Sequence, residues 1–189
     1  MMNLKSALNH IYPVDEKLLD QYLALWTSQT FDSKEFLLLQ GNTEKHLNFI
    51  NKGLVKSYKE KNGKEHVIAF AYDGSFCSDP RSWFLKSPSD IYIQCITPVQ
   101  LTRISIEVHE RFIENHIEME RLFRKASEHL LIGFMDRYEE LMTLSIEDRF
   151  KSFARRSPQL LNLIPHKDLA SYLRIDATNF SKLYNSTRV

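Results

Sequence analysis

The sequence predicts an α+β fold in which a domain of short β-strands lies between helical segments. In the first ~30 residues, and again after residue 106, apolar side chains recur at helical spacing. Between residues 36 and 106, short apolar runs alternate with turn residues instead. The chain has 189 residues, 43% of them apolar and 26% charged. That composition can bury the core of one domain, or of a medium domain and a small one.

The first segment predicts a helix. Asp15 offers a carboxylate that can accept the free backbone N–H groups at a helix start. Apolar side chains follow at intervals typical of a helix: Leu18, Leu19, Tyr22, Leu23, Leu25 and Trp26. The N-terminus lacks the apolar centre of a signal peptide, and no apolar run approaches the ~20 residues that span a bilayer. We therefore expect a cytoplasmic protein without a membrane partner.

The central segment, residues 36–106, predicts a β-sandwich or a closed barrel. The runs EFLLLQG and LNFINKG end at Gly41 and Gly53. Asn62-Gly63 stands between two strand-like runs and is the strongest short-range signal for a β-hairpin. Further short runs, DIYIQCIT and VQLTRISI, follow. Many short strands at regular spacing indicate a sandwich or a barrel. The two cysteines are too few for a disulfide framework, so we expect both to be small core residues.

Residues 117–145 predict one long helix. Its apolar residues follow one another at intervals of three or four: Met119, Phe123, Ala126, Leu130, Phe134, Tyr138, Leu141 and Leu144. A helix of ~27 residues is about 40 Å long, which exceeds what a small barrel can cover. We therefore expect the helix to pair with a second copy, with Gly133 allowing close approach of the backbones. The alternative is a helix packed entirely on its own barrel.

The C-terminal segment predicts three helices separated by turns at Pro158 and Pro165. In HKDLASYLRIDATNFSKLY, the apolar residues of two short helices and the turn between them are Leu169, Ala170, Leu173, Ile175, Phe180 and Leu183. Asp176 can cap the second helix. This spacing is typical of a helix-turn-helix that reads DNA, with a generic helical hairpin as the alternative. Arg174 stands where glycine is usual, so it must adopt an unusual backbone conformation or shift the turn.

Several residues of this segment are candidates for DNA contact. If the second helix enters the major groove, its outward residues are Ala177, Thr178, Asn179, Ser181, Lys182 and Tyr184. Asn179 can pair with adenine, while Thr178 and Ala177 can touch a thymine methyl group. The candidates for phosphate contact are Ser181, Lys182, Lys167 and Tyr172. The net charge of the chain is only +1, but residues 147–189 carry +4 and residues 1–146 carry −3, which is a weak indication of a phosphate partner.

The order of the parts resembles the Crp/Fnr superfamily of bacterial transcription regulators over nearly the whole chain. In LLLQGNTEKHLNFINKGLVKSY, Gly41 and Gly53 match the family's turn glycines. YDGSF adds Gly74 and Phe76, and PHKDLASYLRIDATNFSKL matches at the C-terminus. The order of all three parts is more specific than any one of these motifs.

The resemblance implies three regions. These are a cyclic-nucleotide-binding-like domain over residues 1–116, with a double-stranded β-helix or jelly-roll barrel, a dimerisation helix over 117–145, and a helix-turn-helix DNA-binding domain over 146–189. It also implies a homodimer on palindromic DNA, an interaction with RNA polymerase and often a small effector bound between the barrel and the long helix.

Two departures from the family limit these expectations. The sequence ends directly after the predicted recognition helix, so we expect the family's β-wing to be missing or incomplete. The family's best-known cyclic-AMP sensor reads bases with an Arg, a Glu and a second Arg. The matching residues here are Ala177, Thr178 and Lys182, so the target sequence of that protein does not carry over.

The loop GSFCSDPRSWFLKSPSD, residues 74–90, matches the position of the family's phosphate cassette. The resemblance aligns Ser78 and Asp79 with the cassette's Gly-Glu pair, and Ser89 and Asp90 with its Arg and small hydroxyl residue. A cyclic phosphate here would meet an added carboxylate and no arginine. We therefore expect no cofactor, and an unidentified small effector rather than cyclic AMP if any effector binds. The candidate effector pocket comprises Gly74, Ser78, Asp79, Arg81, Ser82, Ser89 and Asp90.

Two questions about this loop stay open at the level of sequence. Arg81 can replace the missing arginine only from the other side of the loop. The aromatic residues Trp83, Phe84 and Tyr92 either line a pocket for a less anionic effector or fill an empty one.

The sequence contains no phosphate-binding glycine loop, nucleophile elbow or zinc-protease motif, so we expect no enzyme and no metal. In HERFIENH, Ile113 stands where a zinc protease needs its second histidine. A cupin-like metalloenzyme needs clustered ligands, but His46 and His66 are the only histidines of the predicted barrel. The nearer alternative is a dimeric effector-binding module that does not bind DNA.

Overall fold

The computed structural model describes residues 3–186, and its elements follow the predicted order. The helices in this part of the chain are α1 (Leu4–Ile11), α2 (Glu16–Leu23), α3 (Pro80–Leu85), α4 (Ile106–Glu114), α5 (Ile117–Thr143), α6 (Ile146–Arg156), α7 (His166–Leu173) and α8 (Ala177–Ser186). The strands are β1 (Thr27–Phe31), β2 (Phe36–Leu38), β3 (His46–Lys52), β4 (Leu54–Lys61), β5 (Lys64–Tyr72), β6 (Phe76–Cys77), β7 (Tyr92–Cys95) and β8 (Val99–Ser105). A single 3-10 turn, Pro158–Leu160, lies between α6 and α7. The predicted α+β class is confirmed.

The chain divides into two compact units. The first comprises Met1–Ser57 and Phe70–His129, and the second comprises Tyr58–Ala69 and Leu130–Val189. The tip of the β4–β5 hairpin therefore belongs to the same unit as α6, α7 and α8. Residues 187–189, at the end of the predicted DNA-binding domain, lie outside the described residues.

The strands form two four-stranded sheets, with the orders β1-β8-β3-β6 and β2-β7-β4-β5. The pairs β1–β8, β3–β8, β3–β6 and β2–β7 are antiparallel. One core cluster, in which both predicted core cysteines are buried, consists of Leu38, Ile50, Val55, Cys77, Ile93, Cys95, Val99 and Leu101. Burial raises the pKa of both thiols above the usual range, so neither is a reactive thiolate at neutral pH.

Turn glycines fix the connections of the strands. Gly53 has a φ of +115°, and a Cβ atom there would lie 2.5 Å from the carbonyl oxygen of Pro98. Only glycine fits such a position. Asn62 and Gly63 have φ values of 54° and 69°, as a two-residue hairpin turn requires. The predicted hairpin at Asn62-Gly63 is confirmed.

The N-terminal segment forms two helices, where the sequence pattern predicts one. Pro13 lies between them, and proline cannot donate the hydrogen bond that would continue α1. The predicted cap at Asp15 is confirmed, because its Oδ1 accepts the N–H groups of Lys17 and Leu18 at 3.1 Å each. The predicted helix is too long at its other end, because α2 ends at Leu23 and β1 begins at Thr27.

The long helix α5 has 27 residues, as the heptad-like spacing predicts. Near its start, Met119 and Leu122 are buried in a cluster with α1, α2 and strand β3. In its second half the large apolar side chains are exposed: Leu130, Leu131, Ile132, Phe134, Met135, Tyr138 and Met142. Among the described residues, none of the helices combines the length and apolar character that crossing a bilayer requires.

Candidate functional sites

The loop of residues 74–90 folds as a turn, a short strand and a helix. Gly74 has a φ of +84°, and its N–H group donates to the carbonyl of Ile50 at 2.8 Å. After β6, the Asp79 Oδ1 atom accepts the N–H group of Arg81 at 3.1 Å, while Pro80 occupies the first turn of α3. An aspartate cap followed by proline is a strong local signal for a helix start.

A buried carboxylate, Glu44, organises the interior of this loop. Its Oε1 atom accepts the N–H groups of Lys45 and His46 at 3.0 and 3.1 Å, and its Oε2 atom accepts that of Asp79 at 3.0 Å. Burial raises the pKa of Glu44, and the three N–H groups oppose that rise. Sequence reasoning missed this residue, since its role depends on a contact with a residue 35 positions away.

Three of the predicted pocket residues are joined by hydrogen bonds inside the loop. The Ser89 hydroxyl donates to Asp79 Oδ2 at 2.7 Å, and both side chains are buried. The Ser82 hydroxyl donates to the carbonyl of Ser87 at 2.6 Å and accepts the N–H group of Glu44 at 2.9 Å. Two of the four aligned cassette residues, Asp79 and Ser89, therefore bond each other.

The remaining predicted pocket residues lie further out. Ser78 is half-buried, whereas Arg81 and Asp90 are exposed. The Arg81 Nη1 atom lies 3.5 Å from Asp90 Oδ2, and 73% of the Arg81 side chain is exposed. This guanidinium is paired at the surface, so it does not stand in for a buried cassette arginine in this conformation.

The aromatic residues of the loop differ in their surroundings. The Trp83 indole N–H donates to Glu110 Oε1 at 2.8 Å, and the Lys86 ammonium group pairs with the same oxygen. Phe84 is exposed, with 65% of its surface accessible. Trp83 therefore packs against other residues of the first unit. Phe84 is at the surface and does not fill the core of that unit.

Behind Trp83 lies a buried histidine. His109 Nδ1 and the Tyr22 hydroxyl oxygen are 2.7 Å apart, and the Trp83 and Phe123 rings pack edge-on against the imidazole. Burial lowers the pKa of His109 to about 4, a shift that the nearby Glu110 carboxylate only partly opposes. The imidazole is therefore neutral at physiological pH. Among the described residues, no group of three or more His, Cys, Asp or Glu side chains is arranged to hold a metal ion.

The second candidate site lies on α7, α8 and the three residues between them. Arg174 ends α7 in the left-handed conformation, with φ 58° and ψ 43°, so the arginine adopts the backbone that glycine usually provides. The Arg149 guanidinium donates to the Arg174 carbonyl at 3.3 Å. The predicted cap at Asp176 is confirmed, because its Oδ1 accepts the N–H group of Asn179 at 3.0 Å.

The core under these helices agrees with the sequence pattern. The buried apolar residues of α7, the turn and α8 are Leu169, Ala170, Leu173, Ile175 and Phe180. From α6, Phe150 and Phe153 are also buried, and the ring of Phe150 packs edge-on against Phe180. The small side chain of Ala170 is buried in this core, as the sequence pattern predicts.

Most of the predicted DNA contacts lie at the surface. The exposed residues among them are Lys167, Ala177, Thr178, Asn179, Ser181 and Lys182. The Asn179 amide donates to Asp176 Oδ2, and the Ser181 hydroxyl donates to the Ala177 carbonyl at 3.0 Å.

The two tyrosines of this segment are less exposed. Tyr172 is half-buried beneath the Arg137 guanidinium, which lies 4.1 Å from its ring centre and donates to its carbonyl. Its predicted phosphate contact stays a prediction. Tyr184 is half-buried, and its predicted outward position on a bound DNA stays a prediction. Its ring lies 4.2 Å from the His166 ring, and its hydroxyl donates to Asn162 Oδ1 at 3.1 Å. The Tyr184 ring packs against the rings of His166 and Phe180.

An ionic network joins the end of α5 to α6. Glu140 accepts hydrogen bonds from the Ser152 hydroxyl at 2.7 Å and the Arg156 guanidinium at 2.8 Å, and Arg137 lies 3.4 Å away. Partial burial works against the charged form, but these partners hold the pKa of Glu140 below its usual value. The C-terminal half of α5 is thus fixed to the helices of the second unit.

Comparisons with known proteins support the fold. No curated protein matches the sequence. Residues 28–116 match the family model described as "Cyclic nucleotide-binding domain". FixK2 from Bradyrhizobium japonicum is similar in structure, with a TM-score of 0.71 at 15% identity over 85% of this chain and 83% of its own.

Two further regulators share the fold. The c-di-GMP-responsive global regulator CLP from Xanthomonas campestris has a TM-score of 0.65 at 16% identity, over 90% of both chains. The catabolite activator protein of Thermus thermophilus has a TM-score of 0.59 at 16% identity, over 96% of this chain and 86% of its own. At 15–16% identity, these three structures show the fold that this chain shares with them.

Proposed function

We propose that the chain is a Crp/Fnr-type transcription regulator that binds a palindromic DNA site as a homodimer. The observation that carries the proposal is the exposed polar face of α8, held over an apolar core by a tight turn from α7. Two helices in this arrangement can place the second one in the major groove. RNA polymerase is included as a partner on the family resemblance alone.

Base reading is assigned to the first turns of α8. Asn179 carries an amide that can bond adenine once it releases Asp176, and Thr178 and Ala177 offer methyl groups to thymine. Lys182 and Lys167 carry exposed ammonium groups, which suit contacts with phosphate. Ser181 is assigned a phosphate contact as well.

Homodimerisation is assigned to the second half of α5. Leu131, Met135, Tyr138 and Met142 recur at intervals of four, three and four, and each is 60–68% exposed. That spacing makes one continuous apolar stripe, the pattern of a two-helix interface. This stripe lies on a different side of the helix from the one that the sequence predicts. The predicted stripe included Leu141 and Leu144, which are half-buried within the second unit.

Independence from cyclic AMP is part of the proposal. Ser89 and Asp79 bond each other where a cyclic nucleotide would need an arginine and a free carboxylate. Arg81 is paired with Asp90 at the surface. The proposal therefore places no anionic phosphate in this loop, and allows a less anionic effector there.

The test is binding to genomic DNA fragments, measured by gel shift at increasing salt. We expect tight, salt-sensitive binding of selected fragments by the wild-type protein. Lys182→Ala should weaken binding to all fragments and reduce the salt slope by roughly 1 for each phosphate that the variant no longer neutralises. Lys17→Ala, which removes an exposed lysine from α2, is the matched control and should change neither.

If the wild-type protein shows no salt-sensitive binding even at low salt, the proposal that it binds DNA is contradicted. That result would leave the dimeric effector-binding module as the better account. An unchanged salt slope in Lys182→Ala would contradict the phosphate contact of that residue.

A further inference from the structure

The tip of the β4–β5 hairpin lies in the same compact unit as α7 and α8. This tip, Tyr58–Ala69, contains the two-residue turn at Asn62-Gly63 and is exposed around that turn. Its lysines are Lys59, Lys61 and Lys64. The function proposed above makes no use of this part of the chain.

A serine of α7 holds the hairpin in place. The Ser171 hydroxyl accepts the N–H group of Val67 at 3.0 Å and donates to the carbonyl of Glu65 at 3.2 Å. β5 is the last strand of its sheet, so these two backbone groups belong to an open edge that needs partners. Ser171 lies one helical turn after Lys167, so both are on the same side of α7.

The turn sets a register in which the lysines and the glutamates of the hairpin lie on opposite faces. A two-residue turn places Lys61 opposite Lys64, and the next pairs are Glu60 with Glu65 and Lys59 with His66. Because successive side chains of a strand point to opposite faces, the lysines and His66 share one face. The two glutamates lie on the other face. Next to the turn, one side of the hairpin therefore carries Lys59, Lys61 and Lys64 without a carboxylate between them.

The pair formed by Lys61 and Lys64 is unfavourable for the isolated chain. Like charges directly opposite each other on a hairpin are destabilising. Among residues 3–186, neither ammonium group is within ion-pair distance of a carboxylate. An external anion between the two lysines would offset their repulsion.

We propose that the tip of the β4–β5 hairpin contacts the sugar–phosphate backbone of the DNA that α8 binds. Lys61 and Lys64 supply the positive charge, and Ser171 fixes the hairpin beside the face of α7 that carries Lys167. The anion is DNA phosphate because the hairpin belongs to the unit that presents the candidate reading helix. The inference rests on the proposed function and adds a second contact surface to it.

The experiment compares salt slopes of DNA binding for the full chain and its variants, measured by fluorescence anisotropy on a fragment that the wild-type protein selects. The double variant Lys61→Ala/Lys64→Ala should bind about tenfold or more weakly near 0.1 M salt, and its slope should fall by roughly 1 for each phosphate left without its lysine. Lys17→Ala/Lys52→Ala removes the same charge from exposed lysines of the first unit and should match the wild type.

Ser171 provides an independent variant. Ser171→Ala frees the edge of β5 and should also weaken binding, whereas Ser171→Thr retains a hydroxyl and should restore it. Thermal unfolding of each variant shows that the loss does not come from an unfolded chain.

The outcomes separate this inference from the proposed function. Suppose that the wild-type protein and Lys182→Ala behave as expected, but Lys61→Ala/Lys64→Ala has the DNA affinity and salt slope of its control. The proposed hairpin contact is then contradicted, and the proposed role of α8 is not affected. If the wild-type protein shows no salt-sensitive binding to any fragment, both proposals are wrong.

Discussion

His109 is a titratable side chain enclosed by the Tyr22, Trp83 and Phe123 rings. Its burial favours the neutral imidazole and lowers its pKa to about 4 in the folded chain, while the Glu110 carboxylate opposes that shift. The unfolded chain regains the ordinary value of about 6.5. Below that pH, the unfolded state binds a proton that the folded state does not.

The free energy of unfolding should therefore fall as the pH decreases from about 6.5 to about 4, and the contribution of His109 should level off below that. Between pH 7 and pH 5 the loss from this residue is about 2 kcal/mol. Urea unfolding of the wild-type protein and of His109→Gln, which keeps a polar group for Tyr22, measures the difference. Equal pH dependence in the two proteins would show that His109 is not held neutral by the fold.

Single residues also show where sequence reasoning succeeds and where it fails. The cap roles of Asp15 and Asp176 were predictable, because each bonds N–H groups within three positions. For Arg174 the sequence left two alternatives, an unusual backbone or a shifted turn, and the left-handed conformation is the one observed. Glu44 was not predictable, because its partner Asp79 is distant in sequence and only the folded barrel brings them together.

At the scale of elements, the segments before and after α3 lead to a prediction about cyclic nucleotides. A ligand present at 100 times its Kd would stabilise the fold by about 2.7 kcal/mol and raise the Tm by several degrees. We expect cyclic AMP at about 1 mM to leave the Tm unchanged, since Asp79 and Ser89 are bonded to each other.

Differential scanning fluorimetry of the wild-type protein and of Arg81→Ala, each with and without cyclic AMP, measures the change in Tm. A Tm increase in the wild-type protein that Arg81→Ala abolishes would contradict the expectation. It would assign the missing positive charge to Arg81.

The helix α5 carries the proposed dimer interface, and this assignment gives a prediction about the oligomeric state. Tyr138→Glu places a carboxylate in the exposed apolar stripe, where two like charges would meet across a symmetric interface. We expect a dimer for the wild-type protein and a monomer for this variant in sedimentation equilibrium. His129→Glu is the control, because residues nine positions apart lie on opposite sides of a helix.

A dimer that persists in Tyr138→Glu would contradict the assigned interface, and a monomeric wild-type protein would contradict dimerisation itself. The long helix was predictable from its heptad-like spacing. The spacing did not predict which side of the helix stays exposed. Leu141 and Leu144 are half-buried by tertiary packing, and the spacing carries no information about that packing.

At the scale of the whole molecule, the sequence predicted the order of a strand domain, a long helix and three shorter helices. Changes in apolar periodicity mark where each of these parts begins. The membership of the hairpin tip Tyr58–Ala69 in the second unit was not readable. It depends on the Ser171 hydroxyl meeting the edge of β5.

The most direct test of the account is a hydroxyl-radical footprint of the wild-type protein on a DNA fragment that it selects. Two recognition helices related by a two-fold axis should protect two half-sites about 34 Å apart, one turn of DNA, or a whole multiple of that spacing. The two half-sites should be related by an inverted repeat. Protection of a single site without symmetry, or no protection at protein concentrations that saturate binding, would contradict it.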